Sequence, residues 1–248
     1  MARRPSPPWL IQPIAHRGLH DRPAGIIENT VSAFRAAIEA GFAIETDIQA
    51  AAGQEPVVFH DATLQRLTHA SGAVCALSPQ ALKRVAFKET GDGIVSLSEF
   101  LDMVAERVPV FLEIKTAANA SRELERKIAT RLAGYGGPAA IMSFDPGCVR
   151  AMRTFAPGLP RGMVSMRYKR QDWPGLSPGR RFRLTHLLDF AAIRPDFLAY
   201  HVDDLPLPAV TLLRRLGVPV LAWTVRGQAQ QSKARAYADA MIFEELRP

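Results

Sequence analysis

The chain has 248 residues, 48% of them hydrophobic and 22% charged, an ordinary globular balance with ample material for a core. No run of eighteen apolar residues occurs, which excludes a membrane-spanning helix. The formal net charge of +7 favours anionic partners without choosing among nucleic acid, an anionic membrane surface and a phosphate-bearing small molecule. The two cysteines, Cys75 and Cys148, sit in no metal-binding spacing, so neither a zinc site nor a disulfide framework is indicated. The start, "MARRPSPPWLIQPIA", is basic like a signal peptide, but prolines interrupt its apolar middle, and a soluble cytoplasmic protein is expected.

From the N-terminus, strand-like and helix-like runs alternate. A short strand over 13–15 ends in His16 and Arg17. A helix is expected over 29–40, with Val31, Phe34, Ala37 and Ile38 at helical spacing and Gly41 as the stop. Strands follow over 43–49 and 57–60, separated only by "AAAGQEP". A parallel crossover needs a dozen or more residues, so this pair must be a hairpin or a local excursion. A short helix around 78–85 and another over 98–106 lead to a strand over 110–115. Helices over 121–132, 146–154, 208–216 and 227–236 then alternate with strands over 139–144, 162–166, 197–202, 219–225 and 240–243. With the 57–60 run set aside, eight strands of βα character remain, the count and size of an α/β protein of the (β/α)₈ TIM-barrel class. A doubly wound open sheet is the competing fold. The expected organisation is one barrel domain over 1–248, with a small insertion after the second strand at about 50–95.

Active sites of such barrels lie at the C-terminal ends of the strands, and polar residues collect there. Glu45 and Asp47 alternate onto one face of the second strand, Glu113 and Lys115 onto one face of the run "VFLEIK", and the hairpin brings His60. If Gln49 and Pro56 flank the turn, His60 lands roughly opposite Glu45. Any one of these groups is equally served by a structural salt bridge. Together, three convergent carboxylates suit a hard cation, Mg²⁺, Ca²⁺ or Mn²⁺. Two histidines could divide acid and base roles, and Arg17 and Lys115 suit a phosphate. The set reads as metal-assisted phosphodiester cleavage.

The ordered motifs His16-Arg17-Gly18, Glu28-Asn29-Thr30, Glu45-Thr46-Asp47, Val57-Val58-Phe59-His60-Asp61 and Leu112-Glu113-Ile114-Lys115 resemble the glycerophosphodiester phosphodiesterases, as do the later Ser143-Phe144 and Trp223-Thr224-Val225. The resemblance implies a (β/α)₈ barrel that hydrolyses glycerophosphodiesters, as small-molecule substrates, to glycerol 3-phosphate and an alcohol with one divalent cation. It implies His16 and His60 as the acid–base pair, and Glu45, Asp47 and Glu113 as metal ligands. Arg17 and Lys115 would hold the phosphate, with Phe144 and Trp223 lining the pocket. Ile27, Arg226 and the closing run Asp239–Glu244 depart from the family pattern. These departures are expected to touch substrate choice and to leave the metal and histidine set whole.

Two rival functions draw on the basic, aromatic segment 166–184, otherwise expected to be a solvated loop. One is lysophospholipase D-like cleavage at a membrane surface, with peripheral contact through that segment. The other is nucleic-acid binding, which no recognition motif supports. Only five residues follow the last strand, too few for an eighth helix. Trp9 and Leu10, or a partner subunit, are expected to cover that strand's outer face.

Overall fold

The computed structural model describes residues 6–116 and 121–248. Its strands are β1 (Ile14–Ala15), β2 (Ala43–Ala50), β3 (Pro56–Val58), β4 (Val110–Ile114), β5 (Ala139–Ser143), β6 (Arg161–Ser165), β7 (Phe197–His201), β8 (Val220–Val225) and β9 (Ala240–Phe243). The helices are α1 (Val31–Glu39), α2 (Pro79–Leu82), α3 (Leu97–Val104), α4 (Glu123–Ala133), α5 (Pro146–Phe155), α6 (Pro178–Thr185), α7 (Phe190–Ile193), α8 (Pro208–Arg215) and α9 (Gln228–Tyr237). All neighbouring strands except β3 pair in parallel, and β1 pairs with both β2 and β9, so the sheet closes into an eight-stranded (β/α)₈ barrel.

Local sequence explains the helix starts. Thr30 caps α1 by accepting from the Ala33 N–H, and Ala33, Phe34 and Ala37 form its buried stripe. Ser96 and Glu99 close a reciprocal capping box on α3. Asp145 caps α5, accepting from the N–H groups of Gly147 and Cys148 at 2.8 and 3.2 Å.

Strand periodicity sorts the core into two shells. Ile14, Ala43, Phe111, Ala140, Met142, Val164, Phe197, Ala199, Leu221 and Ile242 form the inner cluster that fills the barrel. Their neighbours Ala15, Ile44, Val110, Leu112, Ile141, Leu198, Tyr200 and Phe243 belong to the outer cluster, with the helices. Gly162 pairs with Phe197 across β6 and β7, and a Cβ on Gly162 would lie 2.1 Å from the Phe197 ring. The missing side chain makes room for that ring, which meets Phe111 edge-on at 6.0 Å.

The structure corrects the expected place of Trp9 and Leu10. A 3₁₀ turn over Pro8–Ile11 puts Leu10, fully buried, into the inner cluster, and Trp9 meets Phe111 at 5.9 Å. A cavity of about 350 Å³ separates Trp9 from Pro138 and Pro160, which precede β5 and β6, so this turn plugs the lower end of the barrel. The outer face of β9 has other cover: Phe42 packs on Phe243 at 5.0 Å, and α9 lies against β8 and β9.

Two further expectations shift. The β2–β3 hairpin pairs Ala50 with Pro56 and Ile48 with Val58, one residue out from the expected register. Continued upward, that register sets His60 opposite Thr46 rather than Glu45. Ile48 also pairs with Ile114, so β3 occupies the edge of β2 that the two-residue β1 leaves free. The insertion carries its own small core of Ile27, Val57, Phe59, Leu64, Leu82 and Phe87, among others. The segment expected to be a solvated loop holds α6, whose Ser177 side chain caps the Arg180 N–H at 3.2 Å. Among the described residues, no helix is long and apolar enough to cross a membrane.

Candidate active site

Above the apolar layers, the inward rows continue as polar side chains. His16 follows Ile14, Glu45 and Asp47 follow Ala43, Glu113 follows Phe111, and Glu244 follows Ile242. After β1 the chain makes a left-handed turn, with φ of 56° at Arg17 and 81° at Gly18. A Cβ on Gly18 would lie 2.9 Å from the Ala33 backbone carbon and Cβ, so only glycine lets the first turn of α1 pack here. The turn aims the Arg17 N–H at Glu45 Oε2, 3.0 Å away, while its carbonyl accepts from the Asn29 N–H at 2.9 Å.

Glu45, Asp47 and Glu113 are 0%, 1% and 7% exposed, and each offers an oxygen within 4.8 Å of the others. Asp47 and Glu113 are register partners on β2 and β4, which places the carboxylates side by side. The Lys115 ammonium contacts Asp47 Oδ1 at 2.9 Å and also Glu113. Arg17 Nε lies 3.1 Å from Asp47 Oδ2, which also accepts from Asn29 Nδ2 at 2.8 Å. Thr46 Oγ1 donates to Asn29 Oδ1 at 2.7 Å and fixes the orientation of that amide. Burial alone would raise the Asp47 pKa, but Lys115 and Arg17 outweigh it and hold the carboxyl below its usual range. Glu45 goes the other way. Burial pushes its pKa well up, and the Asp47 and Glu113 charges add to the effect.

Three carboxylates here face two cations, and the buried Glu45 Oε1 has no hydrogen-bond partner. That orphaned oxygen and an all-oxygen donor set fit a hard divalent cation. Arg17 and Lys115, expected to hold phosphate, are thus engaged with carboxylates in the structure, Arg17 also with Glu28 at 2.7 Å.

Both histidines border this cluster: His16 approaches Glu45, and His60 follows Phe59, whose N–H donates to the Asp47 carbonyl at 3.0 Å. His16 Nδ1 lies 2.8 Å from Glu244 Oε2, and its Nε2 lies 3.8 Å from Glu45 Oε2. Burial lowers the His16 pKa, and the hydrogen bond to Glu244 only partly offsets it. Glu244 also meets His20 Nε2 at 3.1 Å, and the Arg226 guanidinium. Burial would raise Glu244, but His16, His20 and Arg226 together leave it well below the usual carboxylate range. As an ionised acceptor it requires His16 to donate through Nδ1, which leaves Nε2 for chemistry. The second histidine is held alike: His60 Nδ1 lies 2.7 Å from Asp61 Oδ1. Asp61 pairs with Arg66 at 2.5 Å, and Arg66 reaches Glu28 at 2.7 Å. This chain of alternating charges connects His60 to Arg17.

Aromatic rings line the opposite side of the mouth. Phe144 meets Trp223 edge-on at 5.3 Å and Trp173 at 6.3 Å, and Tyr168 lies 5.2 Å from Trp173. Burial, with Glu113 adding, pushes the Tyr168 hydroxyl up to about 12. Beside His20 and Glu244, a cleft of about 790 Å³ opens between Arg17, Glu28, Arg66 and Arg226.

The structure brings the residues singled out in the sequence together, and it adds supports that sequence reading missed. Asn29, Glu28 and Asp61 stood inside quoted motifs without a role, and Arg66 carried no signal at all. Glu244 and Arg226 were expected to leave the histidine set untouched. Instead Glu244 holds the His16 ring, and Arg226 holds Glu244.

Comparisons with known proteins bear on the family and the fold. The family model described as the glycerophosphoryl diester phosphodiesterase family matches residues 16–245. A glycerophosphodiester phosphodiesterase of Caldanaerobacter subterraneus is 25% identical over 243 residues, covering 94% of this chain and 93% of that protein. Human glycerophosphodiester phosphodiesterase 1 is 29% identical over 154 residues, 58% of this chain but 45% of the human one. Among solved structures, an Oleispira antarctica phosphodiesterase in complex with its product sn-glycerol-3-phosphate superposes with a TM-score of 0.77 at 20% identity, covering 94% of this chain and 92% of that one. A Silicibacter pomeroyi structure gives the same TM-score at 22% identity, over 95% and 90% of the two chains. With the family model spanning nearly its whole length, the chain belongs to the glycerophosphoryl diester phosphodiesterase family.

Proposed function

We propose that this chain hydrolyses glycerophosphodiesters to glycerol 3-phosphate and an alcohol, assisted by one divalent cation, Mg²⁺, Ca²⁺ or Mn²⁺. The observation that carries the reading is a pair of imidazoles, each held at Nδ1 by a carboxylate, beside a buried three-carboxylate cluster. Glu45, Asp47 and Glu113 would hold the cation, which when bound supplies Lewis-acid polarisation of a phosphate oxygen. Arg17 and Lys115, beside the same carboxylates, would offset the remaining phosphate charge. The lowered pKa of His16 favours the neutral ring, which suits it to take the proton of the attacking hydroxyl at Nε2. His60 is then the acid. It delivers a proton to the leaving alkoxide as the P–O bond to the alcohol breaks. Phe144 and Trp223 would pack against the substrate on the far side of the mouth.

The test is release of glycerol 3-phosphate from a panel of soluble glycerophosphodiesters with each cation in turn, followed by phosphorus NMR. Attack by the glycerol 2-hydroxyl would be seen as a transient cyclic phosphate, and attack by water would give the product directly. No release from any diester with any of the three cations would overturn the reading.

A further inference from the structure

We propose that the rim of the barrel mouth formed by residues 166–188 docks on an anionic lipid bilayer. Residues 166–184 contain Arg167, Lys169, Arg170, Arg180, Arg181 and Arg183 against a single Asp172, so most of the chain's surplus positive charge sits in this one stretch. Arg167 and Arg183 have ion-pair partners, Asp204 and Asp189. Lys169, Arg170 and Arg180 are exposed, with no ion-pair partner among the described residues. Cations left without carboxylates on a rigid surface are available to phosphate-bearing headgroups.

The placement is specific. In most βα units the helix runs back along the barrel's flank, but α6 stays at the top. Ser165 Oγ, at the upper end of β6, donates to the Leu184 carbonyl at 3.0 Å, and Tyr200 OH donates to the Thr185 carbonyl at 3.1 Å. The preceding loop is tied down as well. The Tyr168 N–H donates to Thr185 Oγ1 at 3.1 Å, and Trp173 stacks near Phe144 inside the mouth. One segment therefore turns Tyr168 and Trp173 toward Phe144 and its free cations toward solvent.

The rim also exposes apolar groups. Phe182 is 57% exposed and Leu188 53%, and the Leu188 N–H donates to the Arg183 carbonyl at 3.0 Å, which holds Leu188 against the last turn of α6. Duplex phosphates would use the cations alone. A bilayer uses both, because cations meet the headgroups while Phe182 and Leu188 enter the acyl boundary. The inference rests on the catalytic reading only in one respect, that a diester anchored in the bilayer would then be presented at the mouth.

Flotation of the full chain with vesicles of phosphatidylcholine, alone or mixed with phosphatidylglycerol, tests it at low and physiological salt. Binding is expected only with the anionic vesicles, weakening as salt rises. The triple variant Lys169→Gln/Arg170→Gln/Arg180→Gln should bind at least tenfold less, and Phe182→Ser/Leu188→Ser should weaken binding at unchanged charge. All variants should release glycerol 3-phosphate from a small soluble diester as the parent does, so a lost catalytic reading and a lost docking reading give different results. No binding of the parent to anionic vesicles at low salt would overturn the proposal. So would unchanged binding by the triple variant. Duplex DNA binding that is lost in the triple variant but unaffected by Phe182→Ser/Leu188→Ser would assign the patch to nucleic acid instead.

Discussion

Glu244 receives two imidazoles and one guanidinium on a single carboxylate, so three side chains depend on its charge. Changing it to Gln keeps the shape but removes the charge that fixes the Nδ1–H tautomer of His16. Turnover should then fall about tenfold or more, while KM for a soluble diester moves less. His16→Ala and His60→Ala should each cost about a hundredfold or more in turnover, and no rise in cation concentration should restore it. Asp47→Asn should behave differently. Calorimetry should report weaker cation binding, and activity should partly recover as the cation is raised. Wild-type affinity in that variant and its Glu45 and Glu113 counterparts would make the cluster a structural salt-bridge network. The sign of the pH effect also follows from these residues. Glu28, Asp61 and Glu244 all titrate below their usual range, with burial opposed by their cationic partners. Their contribution to stability is therefore complete above about pH 5, begins to fade near the unfolded-state values of about 4, and is lost as pH falls through the lower folded-state values. His16, lowered by burial, acts in the same direction from about pH 6.5 downward. Glu45, raised by burial, acts in the opposite sense above its unfolded-state value, so the fall is cleanest below about pH 4, where urea midpoints should drop down to about pH 3. The carboxylate cluster and the two histidines were legible in the sequence because charged residues at strand ends break an otherwise apolar pattern. Glu244 was not, because a lone acidic residue after the last strand looks like any polar terminus.

Elements were legible where burial imposes a period. β4, β5 and β7 are buried on both faces between barrel interior and helices, which leaves short apolar runs bounded by turns. α6 escaped because only Leu184 of its eight residues is buried, so it has no apolar stripe to betray it. Ser177 and Pro178, a cap followed by a first-turn proline, were the available signal. The hairpin register failed by one residue because loop composition fixes a turn only loosely, whereas pairing is set by which side chains are buried. Gly162 illustrates an element whose identity depends on its neighbour. Gly162→Ala drives a methyl into the Phe197 ring, and the resulting overpacking should cost about 1–3 kcal/mol in denaturant unfolding. An unchanged midpoint would mean that the Phe197 ring can swing aside freely.

At the scale of the whole molecule the barrel has a chemical end and a structural end. Leu10→Ala empties part of the lower plug and should cost about 2–5 kcal/mol, with kcat on a soluble diester unchanged because the site lies at the other end. A variant equally stable but slower would contradict that division. The continuous inward rows, from Ala43 to Glu45 and Asp47 and from Phe111 to Glu113, give the strands something like a reading frame. Removing one residue from β2 below Glu45 would leave the chain no way to compensate locally. The side chains on one side of the cut would exchange interior for exterior, so either the two carboxylates would turn into the helical shell or the plug-side residues would. Removing one residue from the exposed pair Ser71-Gly72 changes no barrel strand's phase. A scan of single-codon deletions should therefore draw the barrel in outline, silencing the strands while sparing the loops, and it would do so without reference to any substrate.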